Sequence, residues 1–208
     1  MKQHIVIVNY GMGNVGSIQN MLKHIGYEAT ISGKLDDIKK ADKLILSGVG
    51  AFDHGMKNIV DTGLQDALEA KVMEEQTPVL GICLGMQLFS RSSQEGSCPG
   101  LGWIDAETVK FSFPEVSAHL KVPHMGWNTI HVKHPHPLLE EMPEDTRFYF
   151  VHSYHVACDH EDDSLATTHY GYPFTSIIAK GPIYGIQFHP EKSHKFGMKL
   201  LHNFVNLK

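Results

Sequence analysis

The stretch Val79-Leu80-Gly81-Ile82-Cys83-Leu84-Gly85-Met86-Gln87-Leu88-Phe89 changes character at a single cysteine. Val79 to Ile82 form a short apolar run suited to a buried strand, and Leu84, Leu88 and Phe89 then recur at helical spacing. Cys83 therefore sits at a strand-to-helix corner. The surrounding pattern, G-x-C-x-G, is the thiol form of a nucleophile elbow, a tight and strained turn that needs small neighbours. Gly81 and Gly85 supply that room. A sulfur at a helix N-terminus faces the positive end of the peptide dipoles, which favours the thiolate. Taken alone, Cys83 also reads as a buried structural cysteine.

A second stretch, Tyr184 to Glu191, ends in His189-Pro190-Glu191. Side chains two apart in an extended segment point the same way, so Glu191 can orient the His189 ring and stabilise its cation. Cys83, His189 and Glu191 together form a nucleophile, an acid/base and an orienting carboxylate. This combination outweighs the alternative of a satisfied structural histidine.

With 208 residues, the chain has room for one α/β domain, spanning 1–208, and none for a second catalytic domain. No apolar run approaches the roughly 18 residues of a membrane span. Met1 to His4 lead directly into the strand-like Ile5-Val6-Ile7-Val8, without the pattern of a signal peptide, so a cytoplasmic location is expected. A formal charge of -5 without a long basic cluster argues against nucleic acid as partner. Cys83, Cys98 and Cys158 form neither a disulfide framework nor zinc-type spacing. His131, His134 and His136, or His152 and His155, invite a metal reading, but lack the spacing that makes such sites recognisable. The reading calls for no metal and no cofactor.

Along the chain, Ile5 to Asn9 reads as a strand, and Gly11-Met12-Gly13-Asn14-Val15-Gly16 opens a helix reaching about Ile25. This is a literal G-x-G-x-x-G and raises a dinucleotide-binding module as the rival of another class. Such a site wants an acidic residue about 20 positions on, at the end of the second strand. Here Glu28 opens that strand (Glu28 to Ile31), while Asp36 and Asp37 lie beyond it. Gly11 and Gly13 are more economically turn residues of a functional loop. The third strand, Lys43 to Leu46, runs into Ser47-Gly48-Val49-Gly50. At the carboxyl edge of an open sheet, such a loop either makes a plain turn or aims backbone N–H groups at an oxyanion. The N–H groups of Val49 or Gly50 and of Leu84 are the candidates. Helix is expected from about Asp61 to Glu75. From Cys98 onward shorter strand-like pieces follow: Trp103 to Phe111, Leu120 to His124, Asn128 to Val132, Arg147 to Ala157, Leu165 to His169, Thr175 to Ala179 and Ile183 to Phe188. A final helix, Ser193 to Asn206, places Phe196, Leu200, Leu201 and Phe204 on one face.

The elbow and the late H-P-E resemble the triad-type (class I) glutamine amidotransferases. Further motifs narrow the resemblance: Tyr10 to Asn14, Gly48 to Phe52, Val122 to Asn128 (V-P-H-M-G-W-N), Phe148 to Tyr154 (F-Y-F-V-H-S-Y) and Gln187 to Ser193. Together they look like the family of glutaminase subunits of imidazole glycerol phosphate synthases, nearly end to end. The resemblance implies a mixed, mostly parallel central sheet flanked by helices, with Cys83 attacking L-glutamine to form a thioester. It also implies glutamine held by Gly50, Gln87 and the Ser153-Tyr154 backbone beside the Gly48-Val49 loop. Asn14, Met125, Trp127, Tyr149 and Lys192 would face a (β/α)8-barrel cyclase subunit that receives the ammonia. Trp127 and Tyr149 alternatively read as core aromatics, and Lys192 as a solvated charge. Ammonia released into neutral water protonates and ceases to be a nucleophile, so a chain too small to hold the acceptor site needs a docked partner. Two departures are visible. Ser47 stands where the family usually has proline, and the Thr167 to Phe174 and Ser193 to Met198 segments look more like second copies linked to amidination of surface sugars.

Overall fold

The computed structural model describes residues 3–113 and 120–207. Its first half alternates strand and helix: β1 (Ile5–Val8), α1 (Val15–His24), β2 (Ala29–Ser32), α2 (Leu35–Lys39), β3 (Lys43–Gly48), α3 (Phe52–Asp61), α4 (Gln65–Glu69), β4 (Val79–Cys83) and α5 (Leu84–Leu88). β1, β3 and β4 are buried at every position. Strands covered on both faces show continuous apolar runs instead of alternation, which explains Ile5-Val6-Ile7-Val8. The strands lie parallel in the order β2-β1-β3-β4, and β13 (Ile183–Ile186) extends the parallel set beside β4.

Beyond β13 the direction changes. β12 (Tyr172–Lys180), β10 (Tyr154–Cys158) and β6 (Ala106–Lys110) continue antiparallel, and the short β5 (Ser92–Ser93) ends the sheet parallel to β6. β11 (Ser164–Tyr170) branches from β12 and pairs with β8 (His131–Val132). β7 (His124–Thr129) and β9 (Arg147–His152) form a separate two-stranded ribbon. α6 (His194–Asn206) closes the fold, burying Phe196, Leu200, Leu201 and Phe204 as its periodicity predicts. Lys43 is 2% exposed in β3, and its Nζ donates to Leu207 O at 2.8 Å, fixing the end of α6 to the sheet. No helix among the described residues is long and apolar enough to cross a membrane.

Four expectations are corrected. The helix expected over Asp61 to Glu75 is two helices. α3 starts at Phe52, with Phe52, Met56 and Ile59 on its buried face, and ends before Gly63, whose φ of 69° supplies the left-handed residue that terminates helices. α4 then passes into a π-turn over Ala70–Glu74. The loop expected after Leu46 begins later, since Ser47 and Gly48 still pair with Ile82 and Cys83 in the ladder. The single strand expected over Arg147 to Ala157 breaks at Ser153, where the chain leaves the ribbon for the central sheet. The strand expected over Leu120 to His124 does not form: Pro123 lacks an N–H, and β7 begins only at His124 and runs on to Thr129.

The ribbon and the sheet are joined by aromatic packing. The Phe148 ring stacks on Phe188 with centroids 3.7 Å apart, and both are fully buried. Truncating Phe148 to Ala is expected to destabilise the fold by about 3–5 kcal/mol, measured as a lowered urea midpoint at unchanged slope.

Candidate active site

β4 ends at Cys83 with φ 54° and ψ −108°, a strained positive-φ conformation that is normally left to glycine, and α5 begins at the next residue. Close packing holds this corner. A Cβ on Gly85 would lie 1.7 Å from Leu46 O, and one on Gly81 would lie 2.5 Å from the Phe89 ring and 2.7 Å from Met86 N. The elbow glycines are therefore required by backbone approach on both sides of the cysteine. Cys83 is 7% exposed.

The His189 ring reaches the same edge. Its Nδ1 lies 2.8 Å from Glu191 Oε1, with the two side chains 2% and 4% exposed. Glu191 approaches from a 3-10 turn (Pro190–Lys192), not along the extended strand expected from the spacing, because β13 already ends at Ile186. Burial works to lower the His189 ring, but the proximity and charge of Cys83 and Glu191 outweigh it and push it up to about 9. His189 Nε2, Glu191 Oε2 and Tyr10 OH are buried and have no full hydrogen bond among the described residues. Unmet polar groups are rare in folded proteins, and here two of them, on His189 and Tyr10, feel the Cys83 sulfur, with the third on the carboxylate that holds His189. Burial also pushes the Tyr10 phenol up, with a further contribution from Cys83.

The ring is anchored through its backbone. His189 N donates to Tyr149 O at 2.9 Å, making a bridge between the ribbon and the catalytic turn. Ser193 Oγ donates to His189 O at 2.6 Å and accepts from Tyr149 N at 3.0 Å. Ser193 was visible in sequence as the end of the Gln187 to Ser193 motif and the start of a helix, and its bracing role depends on contacts across the fold.

Gly48, at the end of β3, lies beside Cys83 in register, and a Cβ there would meet Tyr10 OH at 2.3 Å. Val49 and Gly50 follow, exposed, with φ of 119° at Gly50; neither N–H has an acceptor among the described residues. Leu84 opens α5, where a first-turn N–H has no acceptor inside the helix. The candidate oxyanion donors thus flank the sulfur. Gly13, at φ 83°, lies against this edge, since its Cβ would sit 2.7 Å from Ser47 O. Gly16 meets nothing within 4 Å, whereas a dinucleotide fingerprint uses its third glycine for close helix packing. Gly13 is explained by the neighbouring loop.

Gln87 is 5% exposed and donates from Nε2 to Tyr154 O at 3.0 Å and to Gln187 Oε1 at 3.2 Å. Ser153 O accepts from Phe111 N at 3.1 Å. Gln187, not singled out in the sequence, donates from Nε2 to Cys83 Sγ at 3.7 Å. Its signal was a polar residue inside the apolar run from Ile183 to Phe188. His152 and His155, weighed above as metal ligands, instead engage Tyr154 O and Tyr172 OH. Of the residues expected at a partner surface, Met125 is 62% and Trp127 43% exposed, on the outward face of β7. Tyr149 lies between them and the catalytic turn, with Lys192 Nζ 5.6 Å from its ring centroid and Trp127 edge-on at 6.3 Å. Asn14 is exposed at the start of α1 and makes no capping bond.

Comparison with known proteins decides the family. The family model described as "Glutamine amidotransferase class-I" matches residues 6–207. The chain belongs to the class I glutamine amidotransferases. Relatives in this family include the "Imidazole glycerol phosphate synthase subunit HisH 2" of Methanococcus maripaludis, 54% identical over 97% of this chain and 98% of the relative. A protein of the same name from Pseudomonas aeruginosa is 50% identical over 98% and 99%. "Imidazole glycerol phosphate synthase subunit HisH" of Sulfurimonas denitrificans is 48% identical over 98% of each. Among solved structures, PurLQS from Thermotoga maritima superposes with a TM-score of 0.73 at 19% identity, covering 99% of both chains, which shows a shared fold.

Because His189 is held protonated by its neighbours, its cation should persist to about pH 9 by NMR titration. Its folded value is raised, so the associated stability is fully present below about pH 6.5 and is lost as pH rises through about 9. Comparing urea stability of the wild type with His189→Gln across this window checks the sign, and Cys83→Ala should bring the titration down.

Proposed function

We propose that this chain is the glutaminase subunit of an imidazole glycerol phosphate synthase, one domain over residues 1–208 acting in the cytoplasm. The observation that carries the reading is the meeting of Cys83, His189 and Glu191 at one sheet edge, in a chain that aligns nearly end to end with relatives bearing that name. The Cys83 thiolate attacks the side-chain carbonyl of L-glutamine, forming a C–S bond and an oxyanion. N–H groups of Leu84 and of Val49 or Gly50 receive that oxygen, an interaction of about 3 kcal/mol per donor. Collapse breaks the C–N bond as the His189 imidazolium gives its proton to the departing nitrogen, releasing ammonia and leaving a glutamyl thioester. Neutral His189 then takes a proton from water, whose oxygen attacks the thioester, and glutamate leaves as the thiolate reforms. Glu191 holds the ring and balances its charge in both halves. Glutamine lies against Gly50, Gln87 and the Ser153-Tyr154 backbone.

The acceptor lies in a (β/α)8-barrel cyclase subunit docked over Asn14, Met125, Trp127, Tyr149 and Lys192, which uses ammonia to make imidazole glycerol phosphate and AICAR. Exposed apolar Met125 and Trp127, next to the turn that carries His189, support this placement. The Ser47 departure and the Thr167 to Phe174 and Ser193 to Met198 segments favour a second reading, in which the same chemistry feeds amidination of a surface sugar.

The chain alone is expected to be a weak glutaminase, stimulated by a partner carrying its substrate. Cys83→Ala should lower glutamate release by at least about a thousandfold, and wild type but not this variant should be labelled by a thiol-reactive glutamine analogue. Restoring histidine-independent growth with a cyclase partner separates the acceptors: failure to restore, with glutaminase chemistry intact, moves the chain to the sugar reading.

A further inference from the structure

A chain of hydrogen bonds runs from the partner-facing ribbon to the sulfur, and one backbone carbonyl dictates its polarity. Tyr154 O can only accept. It takes His152 Nδ1 at 2.7 Å and Gln87 Nε2 at 3.0 Å, so the first must carry a hydrogen and the second must be the amide nitrogen. On one side, a neutral His152 then has a bare Nε2, which accepts from His124 Nδ1 at 3.1 Å, and the bare His124 Nε2 accepts from Asn128 Nδ2 at 3.3 Å. Burial holds both rings neutral, lowering His152 to about 3 and His124 to about 4. On the other side, Gln87 Nε2 faces Gln187 Oε1 at 3.2 Å, so the Gln187 atom left toward Cys83 Sγ, at 3.7 Å, is its N–H donor. Asn128 Nδ2 also donates to His169 O at 3.0 Å and its Oδ1 accepts from Thr129 N at 2.8 Å, so its orientation is settled by the same logic.

Every member of the chain except Asn128 and Tyr154 is buried, with Gln187 at 0% exposure. A buried glutamine is costly unless its amide is engaged, and this one presents a donor to a sulfur instead of an apolar methyl to the core. We propose that Gln187 is a fourth catalytic residue, an N–H donor that steadies the Cys83 thiolate, and that Gln87, itself oriented by Tyr154 O, is the positioning residue that turns its amide the right way round, while His152, His124 and Asn128 hold that carbonyl in place. Hydrogen bonds to ionised groups are the strong ones, so the donor matters most when the sulfur is charged. The relay also gives β7, whose alternate residues Met125 and Trp127 face outward, a physical connection to the nucleophile. The inference rests on Cys83 being the nucleophile.

The test follows alkylation of Cys83 by iodoacetamide in the full chain across pH, read by mass spectrometry of the Cys83 peptide, because Cys98 and Cys158 are also free. The other titratable groups with mutual influence at this centre are Tyr10, His189, Glu191 and, through His189, His152. Gln187→Met removes the donor at near-constant volume. It is expected to move the alkylation midpoint up by about one pH unit and to lower kcat about tenfold, with KM for glutamine changed by less than about twofold. Gln187→Glu keeps an acceptor toward Gln87 Nε2 but leaves no N–H for the sulfur, so it should move the midpoint up by more than Gln187→Met does. Wild-type midpoint and kcat in a folded Gln187→Met protein would overturn the proposal, and if that variant does not fold, an unmoved midpoint in Gln187→Glu does so. Glutaminase activity surviving Cys83→Ala would instead overturn the parent reading.

Discussion

The contact between Gly85 and the carbonyl of Leu46 is the constraint on which the rest of the site depends. Because the start of α5 lies directly against β3, the chain must turn from β4 into α5 within one residue, and that residue is Cys83 in a strained positive-φ conformation. A β-carbon at position 85 would push the helix away from the strand and relax the corner. The strain at Cys83 is maintained by packing on both sides, and it holds the sulfur at the edge of the sheet beside the Gly48 to Gly50 loop.

His189 and Glu191 arrive at this edge by a different route. β13 completes the parallel set beside β4, then yields to a turn that is tied to the separate ribbon by Tyr149 and braced by Ser193. The ribbon is thus at once the outward-facing surface with Met125 and Trp127 and the support of the His189 backbone. A partner pressing on one side of β7 and β9 pushes on the frame that holds the imidazole. In the proposed complex, this proximity between the outward face of the ribbon and the backbone of His189 would be a means of releasing ammonia only when an acceptor is in place. The exposed, unpaired N–H groups of Val49 and Gly50 lie in the most open part of the site, where a change of backbone orientation costs little packing.

The polar interior between ribbon and sheet follows one rule. A backbone carbonyl with two donors fixes which atom of each neighbour faces it, and those neighbours fix the next. His124, His152, Gln87 and Gln187 are arranged in this way, and the aromatic rings of Phe111, Phe150 and Phe174 around the histidines keep them neutral. Such a network permits one arrangement of amide and imidazole groups, which is what a site with a tightly placed thiolate requires.

Much of this was legible in the sequence because it is local. The elbow at Cys83, the glycines on either side, the short reach from His189 to Glu191, the apolar runs of β1, β3 and β4 and the face of α6 are all set by residues within one or two turns of one another. The helix α3 was hidden because the glycine-rich loop before it drew the reading toward a turn, and the break at Ser153 because two strands of different sheets abut without a proline or glycine to mark the change. What only the tertiary structure decided is the long-range part: that Ser193 braces the histidine, that Tyr10 OH sits unpaired beside Gly48, and that Gln187 points its nitrogen at a sulfur 104 positions away. The physical reason is that hydrogen-bond direction in a buried network depends on which acceptor lies nearest, and no periodicity along a single segment encodes which distant carbonyl that is.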